Sequence, residues 1–255
     1  QISPTDLDAT PMRPSGGGSA VLGYRDHYIL DGGNSRIILC ALVTPAFVIE
    51  NTLLLDTIHW IRSRWQVNPK LAVWDAKFGT IPNIVGLEKE GIKTYITIPD
   101  LRSRKSFYPP DVFKFNADQN RYICPQGQPL PLFSRRSTEE NYVYRAKVET
   151  CNICPVKPEC TDSKSGRHNF RSLHQEILDQ TAANRQPEEY QKAMRKRGVW
   201  VEPLFGEAKQ FHRLRCFRLR GLLKVNIEGV MTAAGQNLKR LINFKHTEQD
   251  RVFPN

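Results

Sequence analysis

Two carboxylates stand where chemistry can be done. Asp75 ends the short apolar run of residues 70–75 (KLAVWD) and is followed by the turn Ala76-Lys77-Phe78-Gly79. A carboxylate at the C-terminal edge of a buried strand, opening a loop, lies where α/β sheets place their reactive groups. The same position also suits a helix N-cap or a turn residue. Glu202 falls inside a helical stretch and shares a face with Gly206, Lys209 and Arg213. A carboxylate beside cations can hold a divalent metal and a phosphate together, because hard cations want oxygen ligands. It can equally be spent on an ion pair with Arg197 or Lys209.

The sequence has six cysteines, and four of them follow the spacing C-x26-C-x2-C-x5-C: Cys124, Cys151, Cys154 and Cys160. The contexts CPQG and CNICPVKPEC put Pro and Gly where a backbone must turn around thiolates. Four thiolates suit tetrahedral zinc in a closed structural site, and His168 is a substitute ligand. Free buried thiols are the alternative. Disulfides fit less well, since no export signal is visible. Cys40 lies in an apolar strand and reads as core, while Cys216 has no evident partner.

The charge is uneven. The chain of 255 residues carries 37 Lys and Arg against 26 Asp and Glu, a formal net charge of +11. Residues 1–100 hold nine basic and ten acidic groups, so the excess lies downstream. Residues 192–224 hold ten Lys and Arg against Glu202 and Glu207 alone. A basic run of that density is the footprint of a polyanion, nucleic acid above all. A membrane surface fits less well, because Trp200, Phe205, Phe211, Leu214 and Leu219 interrupt the run at core-like spacing. The longest apolar stretch, residues 37–49, is broken by Thr44 and Pro45 and is too short to span a bilayer.

The elements that must position these residues follow from pattern. Residues 1–20 are rich in Ser, Thr, Pro and Gly and read as loop. Residues 22–30 and 35–43 are β-rich and flank Asp31-Gly32-Gly33-Asn34, which predicts a hairpin. Leu54, Ile58, Ile61 and Trp65 recur at helical spacing within 50–65. A strand over 70–75, a helix over 81–90 closed by Gly91, and a strand over 94–99 follow. This order predicts an α/β class with helices packed on a mixed sheet. Residues 102–105 form a basic loop, and short strands and turns run to about 175. Helices are expected over 188–197, 199–213 and 225–241, the last one buried, with a frayed tail after 246.

These residues carry a resemblance to bacterial insertion-sequence transposases of the DDE class. The matching pieces are LGYRDHYILDGG (22–33), WDAKFGT (74–80), CNICPVKPEC (151–160), KAMRKRGVWVEPLFGEAKQFHRLRCFRLRGLLKVNIE (192–228) and AAGQNLKRL (233–241). The resemblance implies an RNase H-like mixed sheet flanked by helices, with Asp75 as the second acid and Glu202 as the third. Related transposases carry Tyr-x2-Arg-x3-Glu-x6-Lys around the last acid. Here Glu202 and Lys209 fit, while Arg195 and Gly198 depart from the Tyr and Arg positions. The implied organisation is a loop or linker over 1–21 and a first part of the RNase H-like core over 22–101. An inserted Cys-rich, zinc-binding β subdomain follows over 102–175, then a helical return carrying Glu202 over 176–243 and a tail over 244–255. Residues 22–30 and 35–43 read as the second and third strands of such a sheet. The first strand and its Asp are therefore expected upstream of a chain that begins at Gln and reads as a fragment. Within the chain Asp8, in Asp8-Ala9-Thr10, is the fallback first acid, ahead of Asp6 and Asp31.

The implied chemistry is phosphoryl transfer cutting and joining DNA at element ends, in a homo-oligomeric complex. Three carboxylates would hold two Mg²⁺ or Mn²⁺ ions roughly 3.5–4 Å apart. Arg195, Lys196, Arg197, Lys209, Arg213, Arg215, Arg218 and Arg220 are the candidate DNA contacts, and the expected location is the bacterial cytoplasm, at the nucleoid. Three readings from other classes stay open. One is an inactive zinc- and nucleic-acid-binding transposase remnant. Another is an RNase H-like nuclease that only hydrolyses. The third is a plain basic structural domain in which Asp75 and Glu202 lie far apart.

Overall fold

A computed structural model describes residues 2–13, 17–96, 107–138, 140–185 and 187–252, with side chains as far as residue 244. The chain divides into two units, 1–97 with 184–255, and 98–183.

The first unit opens with strands β1 (Thr10–Met12), β2 (Val21–Leu30) and β3 (Ile38–Pro45), an antiparallel sheet in the order β1-β2-β3. Period-two alternation divides β2. Tyr24 and Tyr28 meet Phe217 and Phe205 on one face, whereas Arg25 and His27 reach Glu50 and Thr44 on the other. The connection runs from Asp31 to Ile37. The Asp31 carboxylate accepts the Ile37 N–H, and Arg36 takes a left-handed φ of 52°. Helix α1 (Leu54–Trp65) follows a 3₁₀ turn at Glu50–Leu53 and buries Leu54, Ile58 and Ile61. Strand β4 (Leu71–Trp74), helix α2 (Ile81–Lys89) and strand β5 (Lys93–Ile96) complete a βαβ crossover, with β4 parallel to β5. Leu54 and Ile58 pack on Ala72, Leu87 and Ile92 beneath it.

The second unit is an antiparallel meander. Its strands are β6 (Lys114–Asn116), β7 (Arg121–Ile123), β8 (Pro129–Arg136), β9 (Asn141–Arg145) and β10 (His168–Ser172), in the order β10-β9-β8-β7-β6. The short helices α3 (Val148–Asn152) and α4 (Lys157–Cys160) lie between β9 and β10, and α5 (Gln175–Ala183) follows. The core is Phe113, Tyr122, Leu130, Tyr144, Ala146 and Cys160, with Phe115 packed against it.

The first unit is then completed by α6 (Glu188–Phe211) and α7 (Leu222–Val252). Two asparagines seat α7 on β3. Asn226 accepts from the Val43 N–H at 2.9 Å and donates to the Val43 carbonyl at 2.8 Å. Asn237, three turns on, does the same for Ile38, at 2.9 Å both ways. The side chains thus satisfy backbone groups along a strand edge that no described strand covers.

Several expectations are corrected. Residues 10–12 form β1 inside the stretch read as loop. The two helices expected over 188–213 are one, running through Gly198 and Pro203. Pro203 forfeits one backbone hydrogen bond, but Tyr190, Leu204 and Ala208 are buried along the helix and hold its axis. Helix α7 is buried on one face only: Val225 and Ala233 are covered, while Leu223, Ile227, Met231 and Leu238 are exposed. The tail read as frayed continues as helix to Val252. Helix α5 lies in the second unit. The basic residues 102–105 lie outside the described residues. No described helix is long and apolar enough to cross a membrane.

Candidate functional site

Asp75 directly follows β4, with extended backbone. Its Oδ1 accepts the Lys77 N–H at 2.9 Å, capping the 3₁₀ turn Ala76–Phe78. Its Oδ2 accepts from Arg197 of α6 at 3.2 Å. The turn role and a role at the sheet rim therefore coexist in one carboxylate, one oxygen for each. Glu202 is exposed on α6. Its side chain leans toward the helix N-terminus, as helical side chains do: Oε1 lies 4.0 Å from where a Cβ on Gly198 would stand. Gly198 is the neighbour of Arg197. Among the described residues Glu202 makes no ion pair with Arg197 or Lys209, because Arg197 is engaged by Asp75.

The three candidates for a first acid inside the chain have other partners. Asp8 accepts the Leu222 N–H at 2.7 Å, at the start of α7. Asp6 accepts the Gly221 N–H at 3.2 Å and the Tyr24 hydroxyl at 2.7 Å. Asp31 is spent on Ile37. Among the described residues no group of three or more His, Cys, Asp or Glu side chains is arranged to hold a metal ion.

Cys124, Cys151, Cys154 and Cys160 all line one cavity of about 450 Å³. All four are free thiols. Two backbone amides already point at sulfur: Gln128 N–H donates to Cys124 Sγ and Arg167 N–H to Cys151 Sγ, both at 3.3 Å. Gly127, with φ of 73°, permits the tight turn after Cys124, closed by its N–H to the Cys124 carbonyl. Burial pushes the Cys160 thiol pKa up, and the nearby Arg167 guanidinium offsets part of that. The sulfurs rim the cavity and are not drawn into a closed cage. His168 lies on β10 and is not part of the lining. Cys40 is buried in β3, and Cys216 is exposed.

The basic residues line α6 and the segment before α7. Arg195 and Lys196 are exposed, and the Lys196 ammonium sits 3.7 Å over the Trp200 ring. Lys209, Arg213, Arg215, Arg218 and Arg220 are exposed as well. Of the two acids in the run, Glu207 is taken by Arg240 at 2.7 Å and Lys239 at 3.0 Å. Burial alone would raise its pKa, but these two cations pull it down to about 2.

Sequence reasoning missed two features. One is that Arg197 serves Asp75 and not Glu202. The other is Glu228, a buried acid on α7 that accepts from the Arg218 and Leu219 amides. A lone carboxylate in the charge-poor stretch 225–238 was the available signal.

No curated protein and no solved structure matches the chain. The matched region covers the cysteines, Glu202 and the arginine run, and Asp75 lies upstream of it. Over residues 123–242 the chain is similar to the transposase DDE domain, whose family model it matches there.

Proposed function

We propose that this chain is the larger part of a DDE transposase catalytic region, which cuts and joins DNA at the ends of an insertion sequence by metal-dependent phosphoryl transfer. The observation that carries the reading is the Asp75–Arg197 ion pair, which ties the rim of β4 to the helix bearing Glu202. Asp75 and Glu202 offer the hard oxygen donors that Mg²⁺ or Mn²⁺ requires, and with a third acid they would hold two such ions. Bound there, the ions activate the attacking water or 3′-hydroxyl and stabilise the leaving 3′-oxygen. Arg197 orients the Asp75 carboxylate, and its remaining N–H groups can meet a phosphate oxygen. Lys209 and Arg213 follow Glu202 along the same helical face, placed to neutralise flanking phosphates.

The first acid belongs, on this reading, to a strand supplied by an upstream segment. Support comes from two open edges. Among the described residues β2 pairs with β1 only through Val21–Gly23, leaving the edge from Tyr24 to Leu30 opposite β3 without a strand. Among the described residues β4 pairs with β5 alone. A structural zinc on Cys124, Cys151, Cys154 and Cys160 belongs to the same proposal. It is supported by the shared cavity and the two N–H···S bonds. The active complex is a homo-oligomer acting on transposon ends and target DNA.

The test is a Mg²⁺- and Mn²⁺-dependent cleavage and joining assay, run on this chain and on one extended upstream. Asp75→Ala and Glu202→Ala are each expected to abolish both products in the extended form. Unchanged activity in either variant removes that residue from the site. Among the described residues no acid cluster is assembled, and this favours one second reading, a DNA-binding transposase remnant. It predicts binding with no metal-dependent products from either form. Hydrolysis without strand joining would mark a nuclease.

A further inference from the structure

The segment between α6 and α7 is strongly cationic, yet it is an ordered one. Four guanidinium groups, on Arg213, Arg215, Arg218 and Arg220, fall within eight residues and are exposed. Like charges at this spacing repel, and a free loop of this composition would stay extended and mobile. Here it is fixed at both ends and in the middle. At the α6 end the Leu214 N–H returns to the Ala208 carbonyl at 3.0 Å, and Arg213 adopts a left-handed φ of 60°. At the α7 end Asp6 and Asp8 accept the Gly221 and Leu222 amides. In the middle Phe217 packs edge-on against Tyr24, with ring centroids 5.9 Å apart.

Glu228 is the central brace. Its side chain is 7% exposed, whereas that of Arg218 is 74% exposed. One carboxylate accepts the Arg218 N–H at 3.0 Å, the Leu219 N–H at 3.1 Å and the Arg218 Nε–H at 3.3 Å. The acid is therefore spent on two backbone amides and on the inner nitrogen of one guanidinium. The outer nitrogens of Arg218 stay available, and Arg213, Arg215 and Arg220 have no ion pair among the described residues. The fold thus anchors the loop by its backbone and leaves its positive charge uncovered.

We infer that Glu228 is a positioning residue for nucleic-acid binding: it holds the 213–220 loop in the one form that presents its arginines together to the phosphate backbone of DNA. The inference rests on the proposed DNA-directed function. It also has a sign that simple electrostatics does not share. Glu228→Gln removes a negative charge from beneath a cationic surface, which by charge alone should tighten binding. The amide also turns one acceptor oxygen into a donor, which faces the Arg218 and Leu219 N–H groups at the Oε2 position and the Arg218 N–H and Nε–H at the Oε1 position. Positioning therefore predicts weaker binding.

The experiment is fluorescence anisotropy of the full chain with a labelled 30-base-pair duplex of arbitrary sequence, over a range of salt concentrations. Wild type, Glu228→Gln and Asp6→Asn are compared, with Glu188→Gln as a control of equal charge change on exposed surface. Loss of one or two phosphate contacts predicts a roughly 3- to 10-fold weaker Kd for Glu228→Gln. The slope of log K against log salt should fall in magnitude by about one to two. Asp6→Asn, which loosens the loop from outside α7, should move both readouts the same way, and Glu188→Gln neither. The slope separates positioning from a general loss of folded protein, which lowers the active fraction without changing it. If wild type binds and both loop variants bind as tightly or more tightly, the inference is overturned and the DNA-directed reading survives. If wild type itself fails to bind, that reading falls and the inference with it.

Discussion

Asp26 makes the stability of the first unit depend on pH in a direction opposite to most carboxylates. It lies on β2 opposite Val43, and one oxygen comes within 3.7 Å of where a Cβ on Gly229 of α7 would stand. Neither carboxylate oxygen reaches solvent or a full hydrogen bond. Burial pushes its pKa from an ordinary 3.8 up to about 6, with the Tyr28 hydroxyl and the His27 amide offsetting a part. A folded pKa above the unfolded one means that the folded state favours the proton. The ionised form therefore costs stability: nothing well below pH 3.8, a growing amount between 3.8 and 6, and a constant amount above. Two pH units at 1.36 kcal/mol each give about 3 kcal/mol at the plateau. Of this, about 2 kcal/mol develops between pH 4 and pH 8. Asp26→Asn cannot ionise and should lose this dependence. The new amide has its own donors to satisfy, an offset of about 1–3 kcal/mol that is the same at every pH. The telling quantity is thus the difference in Tm between variant and wild type, which should rise by about 4–8 °C from pH 4 to pH 8. Thermal melts by circular dichroism across that range measure it. A difference that stays flat with pH, or falls, would refute the argument and mean that the carboxylate is already ion-paired or solvated.

Three further outcomes follow from the packing. Asn226→Leu or Asn237→Leu leaves an N–H and a carbonyl of β3 unpaired beneath α7 and should cost about 2–4 kcal/mol in urea melts; a change within 0.5 kcal/mol would mean that α7 is seated by apolar contact alone. Arg240→Met strands the half-buried Glu207 with Lys239 as its remaining cation, and is expected to destabilise by about 2–4 kcal/mol at pH 7. That loss should shrink as pH falls toward 2, where the wild-type acid protonates too. Metal analysis of the purified chain should find about one zinc, released by a chelator with a drop in the melting temperature of the second unit. A metal count near zero, or a chelator without effect, removes the zinc proposal.

The elements that declare themselves locally were legible. The β2–β3 hairpin, α1, β4, α2 and β5 all follow from period and turn chemistry, with ends displaced by a few residues. The hairpin shows why ends drift. Asp31-Gly32-Gly33-Asn34 signals a tight turn, but Asp31 caps Ile37 from the side and Arg36 takes the left-handed position, so β3 begins later than the apolar run does. The single α6 was not legible. Gly198 and Pro203 both argue against helix on local grounds, and only burial of Leu204 and Ala208 against the rest of the first unit overrides them. The one-sided burial of α7 was equally hidden, since a stretch with few charges reads the same whether one face is covered or all of it.

The places of Asp75 and Glu202 in the fold were legible in the sequence, but the pairing of the charges around them was not. Strand-end position marked Asp75, and helical phase marked Glu202, because both signals are local. Which cation serves which acid is a tertiary property. Arg197 is five residues from Glu202 in sequence and 122 from Asp75, yet it is Asp75 that it holds. Helical geometry makes this reasonable: five residues turn about 140° around the axis, so Arg197 and Glu202 are not stacked as i, i+4 neighbours are and need not pair with each other. Arg197 instead points at the sheet rim, while Glu202 leans back along the helix over Gly198. The same logic separates the two acids of the basic run from the acid that orders it. Glu207 is matched by side chains on α7, whereas Glu228, outside the run in sequence, is the one that reaches into the arginine loop. In a cationic segment the important carboxylates are those that bond to its backbone, since they can fix its shape without cancelling its charge.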